Sequence, residues 1–304
     1  MTPAVVEVAA AVIQRPDGAF LLAQRPPGKI YAGYWEFPGG KIERDELADQ
    51  ALARELHEEL GIDVQRSYPW ITRVFAYPHA TVRLNFFRVT RWTGEPHPKE
   101  DQAIAWQRLG APMAAPMLPA NAPVLASLEL PAEYAITNAA QAGIAEMLSR
   151  LARRLGQGLK LVQIREPSLA SDEREFFTRQ VIGLAHRYGC KVMVKAPFPG
   201  ADGLHFTACE LMALKEKPPT GLVAASCHSR EELERAMALQ CDFAVLGPVK
   251  EKAAGAPLGW ESFAHIARGA SLPVYAIGGL TRADLEDAWR AGAHGLAMIR
   301  GAWG

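Results

Sequence analysis

Eight short apolar runs in the second half of the chain, most of them separated by amphipathic segments, constrain its fold more than any other feature. They are Tyr134–Thr137, Lys160–Arg165, Lys191–Lys195, Gly203–Phe206, Leu222–Ser226, Phe243–Gly247, Pro273–Ile277 and Gly295–Ile299. Runs of this length read as buried strands, and the stretches Glu173–Tyr188, Arg230–Gln240 and Arg282–Ala291 read as helices between them. Eight strands in βα order predict a closed parallel barrel. At about 170 residues this half is short for such a barrel. Pro197-Phe198-Pro199-Gly200 leaves no room for a helix between the third and fourth strands.

The first half follows a different pattern, and a length of 304 residues suits two domains meeting near residue 130. Val5 to Ile13 is strand-like, Pro16-Asp17-Gly18 is a turn and Ala19 to Ala23 is a second strand, so a hairpin is expected there. A loop rich in Pro, Gly and aromatic residues ends in Trp35-Glu36-Phe37-Pro38-Gly39-Gly40. Leu47, Ala51, Leu52, Leu56 and Leu60 then repeat near helical period, with Gly61 placed as the C-terminal cap. Val82 to Trp92 reads as a strand and Ala122 to Leu128 as a short helix. The N-terminal stretch MTPAVVEVAAAVIQRPDG lacks a positive n-region and is interrupted by Glu7, which favours a strand over a signal peptide. No apolar run reaches the roughly 18 residues of a membrane span.

The 33 basic and 33 acidic side chains balance to a net charge of +0. That excludes a global field for duplex nucleic acid or anionic membrane. The four cysteines, at 190, 209, 227 and 241, form no CxxC pair, so a cytoplasmic, reducing location is expected, without disulfides or zinc.

Glu55, Glu58 and Glu59 stand at i, i+3 and i+4 and share one helix face, while Leu52, Leu56 and Leu60 form a separate stripe for a core. Carboxylates this close repel one another unless a cation sits among them. Hard oxygen ligands suit Mg²⁺, with Mn²⁺ as the alternative. Such a metal neutralises phosphate charge and acidifies a bound water. Gly39 and Gly40 let the backbone approach metal or phosphate, and Arg54 is well placed to orient a neighbouring glutamate. The competing reading is a solvated acidic helix face. His57, between the acids, reads as a surface residue.

The segment Gly40 to Ile62, GKIERDELADQALARELHEELGI, fits the pattern Gx5Ex7REUxEExGU, with U aliphatic, at Gly40, Glu46, Arg54, Glu55, Leu56, Glu58, Glu59, Gly61 and Ile62. It is identified as a Nudix box. Residues 5 to 128 resemble the MutT branch of Nudix hydrolases, which removes oxidised purine nucleotides such as 8-oxo-dGTP. The likeness runs through Trp35 to Glu43, Arg91-Trp92, Gly94-Glu95-Pro96, Lys99-Glu100 and Pro119 to Val124. It implies a nucleoside triphosphate substrate, hydrolysed in nucleotide-pool sanitation. It implies metal ligands at the Gly39 carbonyl, Glu55, Glu58, Glu59 and Glu100, with Arg54 completing the catalytic set. It further implies Arg25 against phosphate, Phe37 lining the base pocket and Asn121 on the purine edge. Asn121 has a second reading as a helix cap, Glu100 as a loop acid and Phe37 as core. Ala80 stands where some members of the family carry an arginine near the nucleotide.

Most of residues 132 to 304 resemble the thiamin-phosphate synthase and TenI superfamily. The pieces are Tyr134-Ala135-Ile136-Thr137-Asn138, Val162 to Glu166, Ala201 to His205, Ala225 to Ser229, Leu246 to Val249 and Ala276 to Leu280. Gly278 and Gly279 end the seventh strand, where barrels often cradle phosphate, and Gly301 follows the eighth. Gln163, Arg165, Lys195, His205, Ser226 and His228 fall near strand ends, where they would meet a phosphorylated thiazole or pyrimidine. The alternative is that the glycines mark turns and the polar residues bind barrel waters.

Three departures weigh against synthase chemistry. Pro167 stands where the synthases carry lysine, Lys195-Ala196 replaces an Asn-Asp pair, and Phe206-Thr207-Ala208-Cys209-Glu210 replaces an acidic motif, with Glu210 the one available acid. His228 matches a histidine that TenI-type tautomerases use for proton transfer.

The expected protein is α/β and α+β in two domains. Residues 1–130 form a Nudix α/β/α sandwich with a mixed sheet, and residues 131–304 form a (βα)8 TIM-like barrel. The function expected is Mg²⁺-dependent hydrolysis of 8-oxo-dGTP, with a barrel that binds a phosphorylated ligand or acts as a TenI-like enzyme. The alternative is a bifunctional thiamin-pathway enzyme whose Nudix domain cleaves a thiamin-related pyrophosphate. Oligomeric state is left open.

Overall fold

A strand built from small apolar residues can be covered on both faces, and β1 (Val5–Ile13) is such a strand. Ala9, Ala11 and Ile13 enter one hydrophobic cluster, and Ala10 and Val12 enter another. The computed structural model describes residues 5–111, 113–250 and 256–304. Residues 1–4 of the N-terminal stretch read above as a strand lie outside these. The chain divides into two compact units between Glu129 and Leu130.

The first unit continues with β2 (Phe20–Gln24), β3 (Trp35–Glu36), β4 (Gly39–Lys41), α1 (Ala48–Leu60), β5 (Asp63–Ala76), β6 (Thr81–Thr93), β7 (Ile104–Gln107) and α2 (Ala122–Leu128). A mixed sheet has the order β4-β1-β6-β5, and a smaller antiparallel sheet has the order β3-β2-β7. Leu52, Leu56 and Leu60 of α1 pack with Ala9, Ala11 and Ile13. Val124 of α2 packs with Ala10 and Val12 on the other side, which makes the α/β/α sandwich.

The expected hairpin between β1 and β2 is reduced to one antiparallel bridge, between Gln14 and Phe20. A strand has two edges, and those of β1 are taken by β4, antiparallel, and β6, parallel. The turn survives, with the Arg15 N–H donating to the Ala19 carbonyl at 2.8 Å. Beyond it β2 pairs with β3 and β7 instead. Strand β5 gave no readable alternation because its pairing with β6 is broken by three register shifts. It lies at the sheet edge, where Pro69 is tolerated.

The second unit is a closed barrel of eight parallel strands. They are β8 (Glu133–Ile136), β9 (Leu161–Gln163), β10 (Lys191–Val194), β11 (Gly203–Phe206), β12 (Leu222–Cys227), β13 (Phe243–Leu246), β14 (Val274–Ile277) and β15 (Gly295–Met298). The helices are α3 (Ala139–Ala142), α4 (Ile144–Gly156), α5 (Ser171–His186), α6 (Ala208–Ala213), α7 (Arg230–Ala238), α8 (Gly259–Ala267) and α9 (Leu285–Arg290). Strands β10 and β11 are joined without a helix, as the Pro-Phe-Pro-Gly segment requires. Strands of three to six residues make the small barrel possible.

Alternation sorts the barrel side chains. Ala135, Val162, Val192 and Leu204 face the helices, while Tyr134, Leu161, Met193, Phe243 and Tyr275 fill the interior. Arg165 lies two positions beyond the end of β9, so it leaves the strand that was expected to carry it beside Gln163. Among the described residues, no helix is long and apolar enough to cross a membrane.

Gly61 ends α1 in the left-handed region, φ 66°, and a Cβ there would sit 2.4 Å from the His97 ring. Gly61→Ala is expected to lower the stability of the first unit by about 1–2 kcal/mol. Urea titration of the full chain, with the two units followed separately, checks this. A midpoint unchanged in the first unit would show that the cap carries no strain.

Candidate active site

The buried leucine stripe of α1 turns the helix so that its acids meet the β4 turn. Gly40 lies under Glu55, and a Cβ added there would come within 2.1 Å of that carboxyl group. Only glycine leaves room for the acid to rest on the backbone. Arg54 gathers the neighbouring acids. Its Nε and Nη2 donate to the two oxygens of Glu46 at 2.9 Å each, and its Nη1 donates to Glu55 at 2.9 Å and Glu58 at 3.3 Å. Nη2 also donates to the Lys41 carbonyl at 3.1 Å. Bonds from Arg54 and from the Glu43 N–H hold the Glu46 carboxyl down at about 2.

Glu59 experiences the opposite field. Burial, and then the charge of Glu55, push its pKa up to about 7. Glu100 reaches the site from the loop between β6 and β7 and forms an ion pair with Lys29 at 2.9 Å. Gln102 ties this loop to the helix. Its side chain accepts from the Glu100 N–H at 2.7 Å and donates to the Glu59 carbonyl at 2.9 Å.

Glu55, Glu59, Glu100, Gly39, Arg25, Phe37 and Asn121 line one cavity of about 770 Å³. Glu58 does not line it, but points to Arg54 with its side chain half exposed. Among the described residues, no three acidic, His or Cys side chains converge into a ready metal-ligand set. Arg54 and Lys29 occupy their oxygens instead. The donors still fit a hard divalent cation, because they are carboxylates and because Glu59 is left undercompensated.

Phe37 is both core and cavity wall, packed with Phe20 and Phe86. Arg25 sits at the cavity with two of its three nitrogens engaged: Nη1 donates to both oxygens of Glu36 at 2.7 and 2.8 Å, and Nε donates to the Ile30 carbonyl at 2.7 Å. Asn121 is 4% exposed and makes no side-chain cap bond to α2. Its amide donates to the Met117 sulfur at a long 3.9 Å. His57 lies on the surface beside Asp63.

Sequence reasoning missed the aromatic rim. Tyr31 and Tyr77 lie 5.5 Å apart by ring centroids, and Tyr77 stacks on His79 at 5.6 Å. All three line the cavity beside Ala80. The aromatic density of residues 31–37 and 75–79 was the available signal.

The barrel interior carries a polar chain. Tyr134 Oη lies 2.8 Å from His205 Nδ1, and His205 Nε2 lies 2.9 Å from Ser226 Oγ. Burial, helped by the charge of Arg165, depresses the His205 pKa to about 3, so the imidazole is neutral. Gln163 is buried, whereas Arg165, Lys195 and His228 are exposed. Lys195 pairs with Glu210 at 3.2 Å, and His228 lies 3.2 Å from Glu232. Gly278 and Gly279 follow β14, and the Gly278 carbonyl accepts from Lys250 N–H at 3.0 Å. The structure therefore joins His205 with Ser226, and gives Lys195 and His228 separate acidic partners. Tyr134 was missed because an aromatic residue in a strand reads as core.

The family model described as NUDIX domain matches residues 9–127, and the one described as Thiamine monophosphate synthase matches residues 133–302. The first unit is similar to an 8-oxo-dGTP diphosphatase of Haemophilus influenzae, 37% identical over 41% of this chain and 92% of the relative. It is also similar to a CTP pyrophosphohydrolase of Escherichia coli, 40% identical over 40% of this chain and 88% of the relative. The second unit is similar to a putative thiamine-phosphate synthase of Geobacter sulfurreducens, 32% identical over 55% of this chain and 84% of the relative.

Glu59 holds its proton more tightly in the folded chain, about 7 against an ordinary 4.5. Between those values the native state binds more protons than the unfolded state. Stability of the metal-free protein therefore falls as pH rises through this window, and the loss is complete above about 7. Glu59→Gln is expected to flatten that slope and to stabilise the protein at pH 8, by at most about 3 kcal/mol and by less after solvent screening. Melting curves of both proteins in chelator from about pH 5 to 8 check this. An unchanged slope in the variant would remove Glu59 as its source.

Proposed function

This chain belongs to the Nudix hydrolases through residues 9–127 and to the thiamine monophosphate synthase family through residues 133–302. From that membership we propose that its first unit hydrolyses a nucleoside triphosphate, 8-oxo-dGTP above all, to the monophosphate and pyrophosphate. The observation that carries the substrate class is a single cavity lined both by the box acids Glu55 and Glu59 and by a buried asparagine not spent on capping. An amide offers both a donor and an acceptor, which is what a purine edge needs.

Glu55, Glu58, Glu59, Glu100 and the Gly39 carbonyl would hold Mg²⁺ or Mn²⁺, which neutralises phosphate charge and makes a bound water acidic enough to attack near neutral pH. Arg54 positions Glu55 and Glu58. Glu59, whose proton affinity is raised while no metal neutralises Glu55, has the most to gain from the cation. Phe37 and the Tyr31–Tyr77–His79 rim exclude water from the base. The four free cysteines suit a cytoplasmic setting.

For the barrel we propose binding of a phosphorylated thiazole or pyrimidine, or TenI-like tautomerisation with His228 as the proton carrier. Pro167, Lys195 and Ala196 stand in place of synthase groups, and Glu210 is engaged by Thr207 and Lys195. A second reading, favoured by the family of the barrel, makes the whole chain a thiamin-pathway enzyme whose Nudix unit cleaves a thiamin-related pyrophosphate. A hydrolysis screen of the intact protein against 8-oxo-dGTP, dGTP, CTP and thiamin diphosphate with Mg²⁺ separates the two.

Asn121→Ala is expected to cost about 1–3 kcal/mol of discrimination between 8-oxo-dGTP and dGTP. Stability should change little, because no cap bond is lost. The ratio of the two kcat/KM values measures this, and an unchanged ratio would sink base recognition by Asn121. For the barrel, no thiamin phosphate is expected from the thiazole phosphate and pyrimidine diphosphate. Robust product formation would overturn the binding or tautomerase reading, and a tautomerase activity that survives His228→Asn would exclude that histidine as the proton carrier.

A further inference from the structure

The cavity holds more acid than its Nudix box accounts for. Glu36, Glu43 and Glu100 line it together with Glu55 and Glu59. Against them, Arg25 spends Nη1 on Glu36 and Nε on the Ile30 carbonyl. Those bonds shape the loop between β2 and β3, which is further closed by the Gly33 N–H on the Arg25 carbonyl at 2.9 Å and the Ala32 N–H on the Lys29 carbonyl at 3.0 Å. The loop carries Lys29 to Glu100 on the β6–β7 loop, where its ammonium donates to the carboxylate at 2.9 Å. The Lys29 side chain is 49% exposed, so it can move without disturbing a core. The same ammonium also lowers the pKa of Glu59 against the push of Glu55.

We infer that Lys29 is the resident counter-ion of the ion-free site, which holds Glu100 until a divalent cation enters and then moves to the phosphate chain of the substrate. The inference rests on the Nudix reading of this cavity. An ammonium and a divalent cation both neutralise Glu100, so they compete for it. Once displaced, a flexible lysine at the edge of an anionic ligand's cavity has the phosphates as its next partner. Arg25, the phosphate contact expected from resemblance, also positions the loop through Glu36 and the Ile30 carbonyl, and Lys29 is the flexible cation that the loop delivers.

Two signs of opposite direction test this. In the substrate-free full-length protein, Mn²⁺ binding followed by electron paramagnetic resonance is expected to tighten about 3- to 10-fold in Lys29→Met. The KM for the best nucleotide of the hydrolysis screen is expected to rise by a similar factor, with kcat within about threefold of wild type. Lys29→Arg should stay near wild type in both, and Lys217→Met, in the barrel, should change neither. Melting curves establish that the variants fold. Mn²⁺ affinity unchanged or weakened in Lys29→Met overturns the counter-ion role, and tighter Mn²⁺ with unchanged KM overturns the transfer to phosphate. A wild-type protein that binds no Mn²⁺ overturns the hydrolase reading and this inference with it.

Discussion

One guanidinium holds the chemistry of the first unit together. The box places four glutamates, at 46, 55, 58 and 59, within one helix and its entry loop. Such a cluster would drive the helix apart unless it were neutralised. Arg54 binds three of them and a backbone carbonyl besides. It can do so because Leu52, Leu56 and Leu60 lock the helix rotation from the opposite side. The fourth acid, Glu59, is left to the cavity with its proton affinity raised. Which acids keep an ordinary or lowered proton affinity thus depends on which of them the arginine can reach.

The second unit solves another problem with similar means. A barrel this short has little interior, and Tyr134, Phe243 and Tyr275 fill it in mutual edge and tilted contacts at 5.2 to 5.8 Å. His205 is admitted to that interior because both ring nitrogens find partners, Tyr134 and Ser226. Its imidazole stays neutral. Arg165, Lys195 and His228 stay exposed. That division leaves the Tyr134–His205–Ser226 chain uncharged inside the barrel and sets ionisable side chains at the strand ends.

Much of this was legible beforehand. Strands β1 and β11 and helix α2 match the expected spans residue for residue, because turn or breaker residues bound apolar runs of the right period. The box helix was readable from its leucine stripe and Gly61 alone. Strand β5 was not, since its bulges destroy the period that alternation relies on. Nor was the pairing of β2. Local pattern shows that a turn follows β1, but not that both edges of β1 are already taken by strands that come later in the chain. In the candidate site, residue types were readable and their pairings were not. Asn121 could be read as a helix cap, a bond that the structure does not contain, and nothing in the local pattern showed that Arg25, expected against phosphate, also pairs with Glu36.

By itself, then, the sequence determined the two-unit organisation, the eight-strand order of the barrel and the identity of the acids that crowd one helix face. All of these follow from spacing within a single segment, where period and turn chemistry act on neighbours a few residues apart. Only the tertiary structure decided which cation meets which acid. Lys29 is 71 residues from Glu100, and Tyr134 is 71 residues from His205. Contacts at such separations are set by how sheets and loops close in space, a consequence of packing that no local period encodes.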